Sequence, residues 1–311
     1  MSEQARQLFL NKDTTTVSKD IVVKGKRDRM FSDRDVAVCK FLFKHKFATL
    51  AQINTVLTSL GHEELTFERA RTLCQSRIVN KFVFIQDSEK VNFDNPETQT
   101  FYCLDLGGKY LLEQYEPSVD VTSWLVGRNA YSKEFVTKII MANEVYIKIA
   151  STMKENLLSF NILKEVRMGK EAIQIDFDFN IRTGDTVKYY IGNFFNENDI
   201  YDLLNKKSLV LESLVVTNGW KKYSMNNEST EPAVFFIGEN DKTTMLMAEK
   251  LHECGFNFNN KDRYSTYARI IKNNLYDANT FLKYESNGIE KRFKLTRISS
   301  FVPQSLKQQN S

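Results

Sequence analysis

Residues 66–80 hold the side chains in this chain best suited to reading a polyanion. Thr66, Arg69, Arg71, Gln75, Ser76 and Arg77 fall within one short segment. Arginine forks match the acceptor edge of guanine, glutamine matches the donor and acceptor pair of adenine, and hydroxyls serve caps and phosphates. Arg27, Arg29, Lys40, Lys44 and Lys46 lie nearby in sequence and suit phosphate contacts. The same pattern also fits a helical hairpin used for protein contact. A second constellation is Asp176 and Asp178, two residues apart in an alternating segment. Such a pair on the polar face of a strand can hold a hard cation such as Mg²⁺ and help activate water. A solvated strand face, or carboxylates paired with nearby Lys or Arg, gives the same spacing.

Other chemistry has little to build on. The chain has no G-x-x-x-x-G-K-S/T loop and no G-x-S-x-G elbow. Gly107-Gly108 is the one compact glycine cluster and lacks the other glycines of a phosphate loop. Cys39, Cys74, Cys103 and Cys254 show no C-x-x-C spacing, and His45, His62 and His252 are isolated, so no zinc site is expected. The cysteines read as reduced core residues of a cytoplasmic protein. No cofactor is expected, and no apolar run is long enough to span a membrane. Net charge is only +4, but residues 1–81 carry 15 Lys and Arg against 9 Asp and Glu, whereas residues 161–240 carry 9 against 12. A polyanion contact is therefore expected near the N-terminus.

The elements that position these residues follow from periodicity and caps. Residues 1–30 read as a flexible basic arm. Residues 31–115 read as helix, helix, helix and hairpin. The first helix has a stripe of Val36, Val38, Cys39, Leu42 and Phe43 behind a Ser32 or Asp33 cap, the second starts at Thr49 and ends at Gly61, and the third spans 66–80. Strands near 82–86 and 100–104 complete the winged helix-turn-helix order, in which the third helix enters the major groove. Residues 116–128 read as a linker. Residues 129–160 read as one long helix whose Phe135, Ile139, Ala142, Tyr146, Ile149 and Met153 lie on a sheet or form a dimer seam. Beyond it comes a mixed α/β domain to about residue 300. In its clearest strand Ile173, Ile175, Phe177, Phe179 and Ile181 face one way, and the hairpin further on turns at Asn287-Gly288. The helix that begins DKTTMLMAEKLHECG is expected to be capped by Asp241. Residues 301–311 read as a frayed tail.

The segments RARTLCQSRIVNKFVF and FYCLDLGGKYLLEQY, followed by the long helix and strand–turn–strand region, resemble the replication-relaxation family of plasmids, phages and integrative elements. The likeness covers roughly residues 31–253. It implies an α+β protein: a DNA-binding winged helix joined to a domain similar to degenerate PD-(D/E)XK nucleases. It further implies a non-enzymatic accessory factor in mobilisation or replication. Its partners would be double-stranded DNA and a relaxase or replication protein, or a second copy of the chain. If Asn180 pairs with Lys188, Tyr190 faces Asp178 and Gly192 faces Asp176, where an acid and a lysine would be needed. Rival expectations are a replication initiator with a second winged helix in 241–298, a transcriptional repressor, and a metal-dependent nuclease.

Overall fold

The computed structural model describes residues 6–11, 17–85, 91–93, 95, 98–225, 230–256, 258–286 and 291–302. The chain is mixed α/β and divides into two compact units, Met1–Asn143 and Glu144–Ser311.

The first unit contains β1 (Arg6–Phe9), α1 (Lys19–Arg27), α2 (Asp33–His45), β2 (Phe47–Ala48), α3 (Leu50–Ser59), α4 (Phe67–Gln75), β3 (Val79–Ile85), β4 (Phe101–Leu104) and α5 (Leu106–Tyr115). Two capping boxes start helices here. Ser32 and Asp35 satisfy each other's orphan backbone donors at α2, and Thr49 and Gln52 do so at α3. Thr66 and Asp105 cap α4 and α5 with single side-chain bonds. The antiparallel sheet runs β1-β3-β4-β2. Its apolar face gathers Phe9, Phe47, Phe82 and Phe101 in ring contact. At Gly108 an added Cβ would lie 2.3 Å from the Ile78 carbonyl oxygen, so only glycine lets α5 approach the end of α4.

Several expected boundaries move. The third helix ends at Gln75 rather than residue 80, because Arg77 takes φ 58° and the chain enters β3 at Val79. The supposed arm contributes an edge strand, β1, and a helix, α1, that packs on α5; Tyr115 donates to the Val23 carbonyl at 3.2 Å. The rest of that arm, residues 1–5 and 12–16, lies outside the described residues, as do 86–90, 94, 96 and 97 in the β3–β4 loop. The 116–128 stretch sits within the first unit and buries Val121; the division between units falls instead inside α6 (Lys133–Met153). Of the anticipated seam on α6, Ile139, Ala142, Ile149 and Met153 are buried within the chain, so they are not a free dimer seam.

The second unit is built on seven strands: β5 (Leu157–Met168), β6 (Glu171–Thr183), β7 (Thr186–Phe195), β8 (Thr230–Gly238), β9 (Asp262–Thr266), β10 (Phe281–Ser286) and β11 (Lys291–Thr296), in sequential order across the sheet. β5, β6 and β7 are antiparallel, β7–β8 and β8–β9 parallel, and β9–β10–β11 antiparallel again. The crossover from β7 to β8 carries a one-turn helix α7 (Ile200–Asp202), which continues through Leu203–Lys207 into α8 (Ser208–Val216). α9 (Asp241–Glu253) crosses from β8 to β9, and α10 (Tyr267–Lys272) follows β9. Asn240, not Asp241, caps α9, accepting from the Thr243 N–H at 2.9 Å. The region offered as a second winged helix thus continues this one sheet. The Asn287-Gly288 turn lies outside the described residues.

One sheet face carries Tyr189, Ile191, Val234 and Phe236 under α8 and α9. Phe160, Phe177, Phe179, Tyr190, Phe235 and Phe281 form a separate aromatic stack, which Phe301 joins fully buried. The expected tail therefore begins with a core residue, while 303–311 are outside the described residues. The clear strand does not keep one face throughout. Ile173 and Ile175 pack with Tyr189 and Ile191, whereas Phe177 and Phe179 join the aromatic stack. The reversal falls at Asp176, beside Leu163, whose φ of 52° breaks the alternation of β5.

Candidate nucleic-acid interface and the acidic pair

The side chains of residues 66–77 separate into two groups. Arg69 lies against the buried carboxylate of Asp35, its Nε 3.2 Å from Oδ1, and a terminal nitrogen donates to the Met30 carbonyl at 2.7 Å. Arg77 pairs with Asp105, which is also fully buried. Both guanidiniums hold the helix to its neighbours, which removes Arg69 and Arg77 from the expected reading face. Thr66 is exposed but engaged as the cap, accepting from the Arg69 N–H at 3.1 Å. Ser76 is half-buried at the C-cap. Arg71 and Gln75 remain, four residues apart on an exposed stripe that also carries Thr72.

Arg71 is the one exposed cation on α4, and the helix start is ringed by Glu63, Glu64 and Glu68, all exposed. Arg34 reaches back toward these acids, with its guanidinium 3.9 Å from Glu63. Basic character comes instead from the end of α1 and the turn after it. Arg27 and Arg29 are exposed there, and the Met30–Arg69 bond anchors this turn beside α4. Arg27 makes only a loose surface pair with Asp28 at 3.5 Å. Lys44 and Lys46 do not join them. They sit at the far end of α2 from Asp35, roughly 15 Å along the helix at 1.5 Å per residue. The Lys46 ammonium lies 5.7 Å from the Tyr131 ring centre.

The acidic pair is held in a different way from the metal-binding expectation. Asp178 is completely buried and accepts from Asn161 at 2.7 Å, Lys164 at 2.6 Å and the Tyr189 hydroxyl at 2.6 Å. Burial, reinforced by that carboxylate, pushes the Tyr189 hydroxyl far above its usual range, so it stays a donor. The Lys164 ammonium is also flanked by the Tyr189 and Tyr223 rings. The Asp176 carboxylate accepts from the Phe194 backbone N–H at 2.7 Å. The hairpin register differs by one residue from the expected one: Asn180 pairs with Tyr189, and Asp178 with Ile191. The ladder ends at Phe177 and Gly192, one residue short of Asp176. Neither Ile191 nor Gly192 supplies an acid or a lysine. Among the described residues no group of three or more His, Cys, Asp and Glu side chains could hold a metal.

Spacing alone missed Lys164 as the partner of Asp178. The signal was the two-residue turn at Gly169-Lys170, which pairs Met168 with Glu171 and carries Lys164 opposite Ile175. The cysteines divide too: Cys39, Cys74 and Cys103 are buried, but Cys254 is exposed. Burial raises the Cys74 thiol to about 12 and the other two further.

No family model and no curated protein matches the chain. Among solved structures it is similar to the structure of restriction endonuclease FokI, at 13% identity over 77% of this chain and 43% of that chain, with a TM-score of 0.26. A likeness of that size bears on neither fold nor activity. No helix among the described residues is long and apolar enough to cross a membrane.

Proposed function

We propose that the protein is a sequence-specific double-stranded DNA-binding accessory factor of a mobile genetic element, acting in mobilisation or replication. The N-terminal unit is read as a winged helix in which α2, β2, α3, α4 and the β3–β4 hairpin follow that module's order. The observation that carries this reading is the solvent-facing Arg71 and Gln75 stripe on α4, with Arg27 and Arg29 anchored alongside. Arg71 and Gln75 would meet base edges, and Arg27 and Arg29 phosphates. The second unit is read as a non-catalytic relative of the PD-(D/E)XK fold, on the order helix, three antiparallel strands, helix, parallel strand. A non-catalytic role is favoured because Asp178 spends its acceptor positions on three protein donors. Its task would be to engage a relaxase, a replication protein or a second copy.

Fluorescence anisotropy against fragments of the host element tests the reading. One fragment should bind well above the others, and its affinity should fall steeply with salt as counterions are released. Uniformly weak binding to every fragment would remove it, and so would Mg²⁺-dependent cleavage lost in Asp176→Ala.

A further inference from the structure

In the second unit β9 and β10 register at a single pair, Tyr264 with Leu282, although β10 continues to Ser286 against β11. Beyond that pair a cavity of about 480 Å³ opens between Asp262 at the start of β9 and the Tyr284–Ser286 end of β10. This is the size of a small-ligand site. The C-terminal end of α9 closes one side. There Gly255, at φ 78°, ends the helix, and the Phe256 N–H bonds back to the Leu251 carbonyl at 3.0 Å.

We infer that this cavity is a binding site for a planar guanidinium group, such as that of arginine. Three features converge on that chemistry. First, the Asp262 carboxylate lines the cavity, and the Tyr264 hydroxyl bonded to it fixes its orientation. A fixed carboxylate is the acceptor that a guanidinium fork matches. Second, the carbonyl end of α9 carries partial negative charge, which favours a cation. Third, Phe256 and Tyr284 are half-buried and line the cavity, and guanidinium planes stack on such rings.

The neighbouring charges agree. Lys283 and Glu285 also line the cavity and lie 3.9 Å apart, so their opposite charges offset one another and leave Asp262 to set its sign. His252 packs its ring edgewise on Tyr284 at 5.3 Å and borders the rim. Asn260 and Ser286 add hydrogen-bonding groups to the lining. That wall suits an N–H-bearing cation better than a trimethylated ammonium, which has no hydrogen to donate.

Titration calorimetry of the full chain tests this with Gly-Arg-Gly, its citrulline and lysine counterparts, free arginine and guanosine monophosphate. The expected result is saturable binding of the arginine peptide, at least tenfold weaker binding of the neutral citrulline peptide, and weaker binding of lysine. Free arginine against the peptide distinguishes a small-molecule from a polypeptide source of the group, and preference for the nucleotide would overturn the guanidinium. Asp262→Asn and, separately, Tyr284→Leu should each weaken the peptide at least fivefold, while Asp202→Asn on α7, outside the cavity, leaves it unchanged. A thermal melt accompanies each variant. If the peptide binds a folded Asp262→Asn protein as well as the parent, or does not bind the parent, the inference fails. DNA binding is a separate readout and need not change in any of these variants.

Discussion

The guanidinium of Arg77 donates to both oxygens of Asp105, at 2.6 and 3.2 Å, while the Asp105 Oδ1 also accepts from the Leu106 N–H. One carboxylate therefore joins the end of α4 to the start of α5. Removing the arginine leaves that charge buried without its cation, at a cost of about 3–5 kcal/mol. Arg77→Ala should lower the unfolding midpoint in urea strongly. Arg69→Ala should do likewise through Asp35. A variant that loses DNA affinity at unchanged stability would show that either arginine reads DNA instead.

Arg71→Ala makes the contrasting case. It removes an exposed side chain, so stability should stay within about 0.5 kcal/mol. If Arg71 reaches a guanine edge, its loss costs about 1–3 kcal/mol of specific binding and relaxes preference at one base pair. Anisotropy titrations against single-position variants of the preferred fragment measure both.

His45 gives the first unit a pH dependence. Its Nδ1 lies 2.8 Å from the side-chain Oδ1 of Asn143, whose Nδ2 donates to the Phe47 backbone carbonyl. Burial depresses its pKa from 6.5 to about 3. Between those values the unfolded chain takes up a proton that the folded chain refuses. The stabilisation is therefore whole above about pH 6.5 and falls with acidification, by up to about 1.4 kcal/mol per pH unit. Urea melts between pH 7 and pH 4 should show this slope, and His45→Gln should flatten it even though it lowers stability at pH 7.

Lys164 and Asp178 should behave as a coupled pair. Lys164→Met leaves a fully buried carboxylate without its cation, at a cost of about 3 kcal/mol or more. Asp178→Asn in the same background should recover part of that loss, with a coupling of about 0.5–3 kcal/mol. Additive effects in the double-mutant cycle would show that the ion pair contributes nothing to stability.

The sequence marked most elements because their starts depend on local chemistry. Ser32, Thr49 and Thr66 are caps whose oxygens act within three residues, so α2, α3 and α4 were legible at their N-termini. The end of α4 was not, because Ile78 continues the helical spacing while Arg77 leaves the helix to reach Asp105, 28 residues away. The β6–β7 register was missed by one residue: the turn is a two-residue loop at Gly184-Asp185, and a single step moves every cross-strand partner. Arg69 and Arg77 look like surface cations in sequence, and only tertiary packing supplies their buried carboxylates. The reversal at Asp176 was equally hidden, since a strand's alternation gives no notice of a neighbour with positive φ.

Phe301 follows the last strand of the sheet, yet its ring is enclosed by those of Tyr190, Phe235 and Phe281. The second unit thus cannot complete its interior until the segment beyond β11 has left the ribosome tunnel. Folding of this half waits for that emergence, whereas the N-terminal unit is free to fold earlier during translation, as domains that emerge first generally do.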